Sequence, residues 1–118
     1  MSLDTSLRPD DRGNLWEHMV LGELIGQLQQ WQPLYWRDKR GHEIDFVVAD
    51  KGGNKPITIE CKWSASKFDP ANLHAFRRRY PEGNNYVVAS DVTETYQRDY
   101  GGVRVHFISL QDLGRTIS

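Results

Sequence analysis

The chain has 118 residues, with 15 Lys and Arg against 16 Asp and Glu and a formal net charge of −1, so it offers one domain's worth of core and argues against a generic polyanion binder, although a neutral total can hide a basic face. Its one cysteine, Cys61, excludes an internal disulfide and a Cys-rich zinc site and suits a reducing compartment. No apolar run reaches the roughly 20 residues of a transmembrane helix, and no GxxxxGK[ST] phosphate loop is present, so a soluble, cytoplasmic chain without membrane contact and without its own P-loop is expected.

Residues 1–13 are polar and carry no periodic apolar face, which reads as a leader or linker before a single domain over 14–118. From Asn14 to about Trp31, Leu15, Trp16, Met19, Val20, Leu24, Leu28 and Trp31 recur at helical spacing, with Asn14 as the expected N-cap. Pro33 ends that helix. Leu34 to Arg37 reads as a short aromatic strand, and Asp38-Lys39-Arg40-Gly41 as the turn of a hairpin into a second strand from Glu43 to Ala49. A flexible turn then leads to a third strand, Ile57 to Trp63.

Phe68-Asp69-Pro70 opens a second helix, with Asp69 as cap, Leu73 and Phe76 facing inward, and an end near Tyr80-Pro81. Tyr86-Val87-Val88-Ala89 is apolar enough for a strand covered on both faces. Val103 to Ile108 reads as a fifth strand, and Ser109 as the cap of a terminal helical turn. The order α-β-β-β-α-β-β predicts an α/β sandwich in which a strand after the second helix returns parallel.

Acids stand at unexpected places in this pattern. At about 100° per residue, Val20, Leu21, Leu24, Leu28 and Trp31 all lie within roughly 60° of Glu17, so its carboxylate points to the core side. A capping box with Asn14 is the plain alternative. In the second strand, period-2 geometry puts Glu43, Asp45, Val47 and Ala49 on one face and Ile44, Phe46 and Val48 on the other. Asp45 is thus an acid amid apolar residues, explained alternatively by an edge strand or a salt bridge. In the third strand Glu60 and Lys62 share a face opposite Ile57, Ile59, Cys61 and Trp63, and a solvated Glu-Lys pair is the plain reading. Taken together, adjacent strands can bring Asp45, Glu60 and Lys62 to one end of the sheet, with Glu17 descending from the helix. Such acids repel one another unless a cation such as Mg²⁺ sits among them, and that machinery suits phosphodiester hydrolysis.

These residues resemble the PD-(D/E)XK nuclease superfamily: Glu17 on the first helix, Asp45 on the second strand, and Glu60-Cys61-Lys62 on the third. The resemblance implies a restriction-endonuclease-like α-β-β-β-α-β core with a mixed sheet between helices. It also implies Mg²⁺ or Mn²⁺ held by Asp45, Glu60 and the Cys61 backbone carbonyl, with Lys62 assisting the attacking water and Glu17 completing the site. The wider pattern "LWEHMVLGELIGQ…YWRDKRGHEIDFVV…ITIECKWSA…LHAFRRRYP…YVVAS" is similar to the uncharacterised domain that follows an AAA-type ATPase module in many prokaryotic proteins. That likeness implies a C-terminal part of such an ATPase. A catalytically silent accessory domain, used for docking, oligomerisation or DNA binding, and a plain α/β scaffold with solvated acids stand as alternatives.

Arg37, Lys39 and Arg40 in the hairpin, and Arg77, Arg78 and Arg79 on the second helix, are candidate contacts to DNA phosphates. The alternative for the arginine run is a solvated helix end. Cys61 is expected to pack, and His18, His42, His74 and His106 are too scattered for a local metal motif.

Overall fold

The structure, a computed structural model, describes residues 9–27, 34–48 and 55–117. The elements run α1 (Pro9–Gln27), β1 (Leu34–Arg37), β2 (Glu43–Val48), β3 (Ile57–Lys62), a single 3-10 turn (Ala65–Lys67), α2 (Ala71–Arg79), β4 (Asn85–Ala89), β5 (Tyr96–Tyr100), β6 (Val103–Ile108) and α3 (Leu110–Ile117). One six-stranded sheet has the order β1-β2-β3-β4-β6-β5. The β1-β2-β3 meander is antiparallel, β4 joins β3 in parallel, β6 joins β4 in parallel, and β5 closes the far edge antiparallel to β6. A parallel return requires a crossover, and α2 supplies the first one.

The sheet separates two cores. On one face α1 and α3 pack together, and Trp16, Val20, Leu24 and Leu113 meet Phe46, Val48, Ile59, Tyr86, Val88 and Ile108. On the other face Leu73 and Phe76 of α2 meet Ile44, Val87, Val105 and Phe107. β4 is buried along its whole length because both faces are covered, as its composition predicts. The Trp16 indole N–H, which needs a partner when buried, donates to the Val88 carbonyl across 2.9 Å.

Several expectations are corrected. Helix α1 begins at Pro9, so residues 9–13 are helical rather than leader, and Asn14 lies inside the helix and cannot cap it. The five-residue difference arises because Pro at the first turn is compatible with helix. Leu28 and Trp31 of the expected helix, Ala49 of the expected strand and residues 1–8 lie outside the described residues. Leu15 and Met19, on the expected apolar face of the helix, are exposed rather than packed. Asp69 accepts the Ala71 amide at 2.9 Å, but Pro70 rather than Asp69 stands at the cap position and the helix starts at Ala71. Ser109 accepts the Asp112 amide at 3.2 Å, as expected of a cap.

Strand β5 was not foreseen. Its sequence, Tyr96-Gln97-Arg98-Asp99-Tyr100, has no apolar alternation because it is an edge strand that lies largely exposed. It is held by Tyr96 stacked on Phe107 with ring centroids 4.8 Å apart. The available signal was Gly101-Gly102, whose φ values of 57° and 90° suit a two-residue hairpin turn.

Strand β2 also departs from simple alternation. Trp36 pairs with Ile44 but Leu34 pairs with Val47, so β2 carries one extra residue between them, where Asp45 and Phe46 stand. Consequently Ile44 and Val47 pack with the α2 core, whereas Phe46 and Val48 pack with the α1 core. The expected single face for Ile44, Phe46 and Val48 is thereby corrected.

Candidate active site

The irregularity in β2 stands beside the acid that sequence pattern singles out. Register between β2 and β3 runs from Val48↔Ile57 to Phe46↔Ile59 and stops there. One residue further on, Asp45 Oδ2 accepts the Cys61 amide at 2.8 Å, a side chain taking the place of a ladder bond. This holds Asp45 against β3 and leaves its second oxygen free of that contact. β2 lies between β1 and β3, so the edge-strand explanation of Asp45 does not apply.

Glu60, next along β3, is 4 % exposed. Its Oε2 is buried and has no hydrogen-bond partner. Burial, then the Asp45 charge, push its carboxyl up to about 8, with Lys62 opposing the shift and Asp69 adding to it. Burial likewise raises Asp45, whereas the Cys61 amide and Lys62 favour its ionised form and Glu43 opposes it. The Asp45 charge makes ionisation of Glu60 harder. Both carboxyls are held above their ordinary range. Glu60 is too buried for a solvated Glu60-Lys62 surface pair.

Glu17 reaches the same neighbourhood from the other side. It is half-buried on α1, and burial, then Asp45, raise its carboxyl, with Glu43 adding to the effect and His18 and Lys62 opposing it. The capping-box explanation fails with Asn14 inside the helix. Yet Glu17 and Glu60 do not meet. Cys61 and Ile59 of β3 pack toward α1, while Thr58, on Glu60's face, bonds Asn85, which accepts from Arg77 of α2. Glu60 thus faces the α2 layer and Glu17 the α1 layer, with Asp45 linking them through the gap where β2 and β3 part. Among the described residues no three His, Cys, Asp or Glu side chains gather into a metal cage.

Lys62 belongs to this cluster, since its charge acts on Glu17, Asp45 and Glu60 alike. Glu43 is a further acid that sequence reasoning left out of the site. It accepts a hydrogen bond from the Tyr35 hydroxyl, and its place two residues before Asp45 was the signal for it. Cys61 behaves as expected: it packs against the α1 core, and burial pushes its thiol up, away from reactivity.

The arginine run divides. Arg77 is buried and spends its guanidinium on Asn85 Oδ1 and on the carbonyls of Tyr80, Glu82, Pro56 and Asn84. As a DNA contact it is corrected: all five of its N–H groups serve the fold. Arg78 and Arg79 are exposed, as are Arg37, Lys39 and Arg40 in the hairpin.

A mixed α/β sheet whose central strand ends carry an acid-lysine cluster is the class that fold and site define. The chain belongs to the family described as Domain of unknown function (DUF4143), which it matches over residues 12–113. Among curated proteins, none matches the chain. No helix among the described residues is long and apolar enough to cross a membrane.

Proposed function

We propose that Asp45, Glu60 and Lys62 form a divalent-metal site for phosphodiester hydrolysis of DNA, of the PD-(D/E)XK type. The observation that carries this reading is Glu60 Oε2, a buried carboxylate oxygen without a partner beside a second carboxylate. Such an atom costs free energy in the absence of a cation, and a small hard cation held by two carboxylates and water offsets that cost. Asp45 and Glu60, with the Cys61 carbonyl, would hold Mg²⁺ or Mn²⁺. Bound there, the ion supplies Lewis-acid polarisation of a phosphoryl oxygen and eases ionisation of water.

The chain's own groups do the rest. The Cys61 amide fixes Asp45 against β3, so its carboxylate does not reorganise during reaction. Lys62 brings a positive charge to the acids, holds the attacking water, and offsets charge building on the phosphate. Glu17 and Glu43 add negative charge on the α1 side, which favours the cation further. The cysteine usage suits a reducing, cytoplasmic setting, and the likeness to domains that follow AAA-type ATPase modules suggests work as the C-terminal part of such an ATPase.

A second reading is favoured by one observation: among the described residues no three His, Cys, Asp or Glu side chains gather into a metal site. On it the domain is a silent accessory module for docking, oligomerisation or DNA binding. Incubation with single-stranded, duplex and branched DNA in Mg²⁺, beside Asp45→Ala and a chelator control, separates the two. Hydrolysis that disappears in both controls is expected; hydrolysis that survives Asp45→Ala unchanged removes the assignment, and no cutting of any substrate leaves the module.

A further inference from the structure

Away from the acid cluster, a concentration of exposed positive charge lies where the β1-β2 hairpin turn meets the C-terminal half of α2. Two adjoining concavities of about 690 and 350 Å³ share Asp38, Arg40 and Arg79. The first is also lined by Trp36, Arg37 and Lys39, and the second by His42, Ala75 and Arg78. Five permanent cations, Arg37, Lys39, Arg40, Arg78 and Arg79, thus line one open trough. The chain as a whole carries a formal charge of −1, so positive charge has been segregated here.

The acid present does not neutralise them. Asp38 Oδ1 accepts the Arg40 and His42 amides at 2.9 and 2.8 Å, and its Oδ2 faces His42 Nδ1 at 2.9 Å. Both oxygens serve the turn. Among the described residues the ion pairs involve His42 with Asp38, Arg104 with Asp99, and Arg115 with Asp112, and none takes one of the five cations. The helix dipole accounts for arginines in the last turn of α2. It does not account for three more cations brought to them by a separate hairpin, which Trp36 locks to the helix by an edge contact with Phe76, centroids 5.1 Å apart.

We infer that this trough is a nucleic-acid binding surface that tracks the sugar-phosphate backbone, with Trp36 offering an aromatic wall to an adjacent base. A small phosphate ligand fits poorly, since such ligands are held by enclosed, converging donors, whereas spread cations on an open surface match a polyanion's repeated charges. The choice of nucleic acid rests on the proposed hydrolysis of DNA, but binding is separable from cutting. The hairpin that carries three of the cations leads directly into the strand bearing Asp45, so a strand held in the trough is tethered at that end of the sheet.

Fluorescence anisotropy with labelled DNA, single-stranded and duplex, measured in chelator with Asp45→Asn, reads binding without hydrolysis. Arg40→Ala/Arg79→Ala is expected to weaken binding by on the order of tenfold at low salt and to flatten the slope of log affinity against log salt by about 2. Lys39→Ala/Arg78→Ala, an independent pair, should do the same. Arg98→Ala/Arg104→Ala, which removes the same charge at the opposite sheet edge, should change affinity far less. Binding that both trough pairs leave intact overturns the inference, as does an equal loss from the opposite-edge pair or no binding of either DNA form. Loss of hydrolysis in Asp45→Asn with binding retained supports both the trough and the site; retained hydrolysis with trough-dependent binding sinks only the site.

Discussion

Replacing Arg77 with Met is expected to destabilise the fold by about 3–5 kcal/mol, one of the largest effects of any single substitution in this chain. Arg77 is 6 % exposed. Its Nε donates to Asn85 Oδ1 at 2.8 Å, Nη1 to the Tyr80 and Glu82 carbonyls at 3.1 and 2.7 Å, and Nη2 to the Pro56 and Asn84 carbonyls at 2.8 and 3.0 Å. One planar group therefore ties the end of α2, the loop into β4 and the entry to β3. Burial lowers its pKa to about 10, which still leaves it charged at neutral pH. Met fills much of the volume but takes the guanidinium from the Tyr80, Glu82 and Pro56 carbonyls, while Asn85 Oδ1 and the Asn84 carbonyl keep only their bonds from Thr58. Lys has only three donors and no fork, so it restores little. The surroundings are shaped to the guanidinium: at Gly83, with φ of 132°, an added Cβ would stand 3.0 Å from it and 2.1 Å from the Pro56 carbonyl oxygen. Urea unfolding of Arg77→Met beside Arg78→Ala measures the difference. A loss below about 1 kcal/mol for Arg77→Met contradicts the role assigned here.

Stability is expected to fall as pH rises from 5 to 8 in metal-free buffer, and Glu60→Gln is expected to remove most of that fall. The Glu60 carboxyl is held at about 8 in the fold against an ordinary 4.5. Below the ordinary value it is protonated in both states. Between the two values the folded chain keeps a proton that the unfolded chain has lost, so raising the pH favours unfolding until the folded carboxyl also ionises. Asp45 is raised as well and acts in the same direction. The shift in Glu60 corresponds to a stability loss of at most roughly 5 kcal/mol across the window. Gln keeps the shape without the charge, so the variant should equal the wild type near pH 5 and exceed it near pH 8. Thermal melts of both proteins at these pH values decide it. A Glu60→Gln variant that tracks the wild type across the interval would mean that Glu60 is not held protonated in the fold, since other groups such as the half-buried His106 are common to both proteins.

Much of this was legible in the sequence, for identifiable reasons. The meander, the parallel return after α2 and the buried β4 followed from period-2 apolar runs and from turn residues such as Asp38-Lys39-Arg40-Gly41. Asp45 and Glu60 stood out because ionisable groups in apolar strands need an explanation. What alternation cannot show is a bulge: one extra residue at Asp45-Phe46 moves Ile44 and Phe46 to opposite cores, and nothing in Glu-Ile-Asp-Phe-Val-Val marks it. Nor can a helical wheel tell which face of the sheet its helix will cover, so Glu17 and Glu60 looked convergent when the sheet lies between their layers. The arginine run illustrates the same limit. Three consecutive arginines share one composition, yet helical rotation buries Arg77 and exposes Arg78 and Arg79. Strand β5 escaped notice because an edge strand needs only one packed face, which two tyrosines supply.

The central claim, that Asp45 and Glu60 hold a divalent cation, is tested most directly by titration calorimetry with Mg²⁺ and Mn²⁺ on wild type and Glu60→Gln, repeated near pH 7 in buffers of different ionisation enthalpy. The predicted result is binding of a single ion that weakens strongly in Glu60→Gln, tightens as pH rises, and releases a proton from Glu60 on binding. Absence of binding to either metal at millimolar concentration, or equal binding by the two proteins with no proton released, contradicts it.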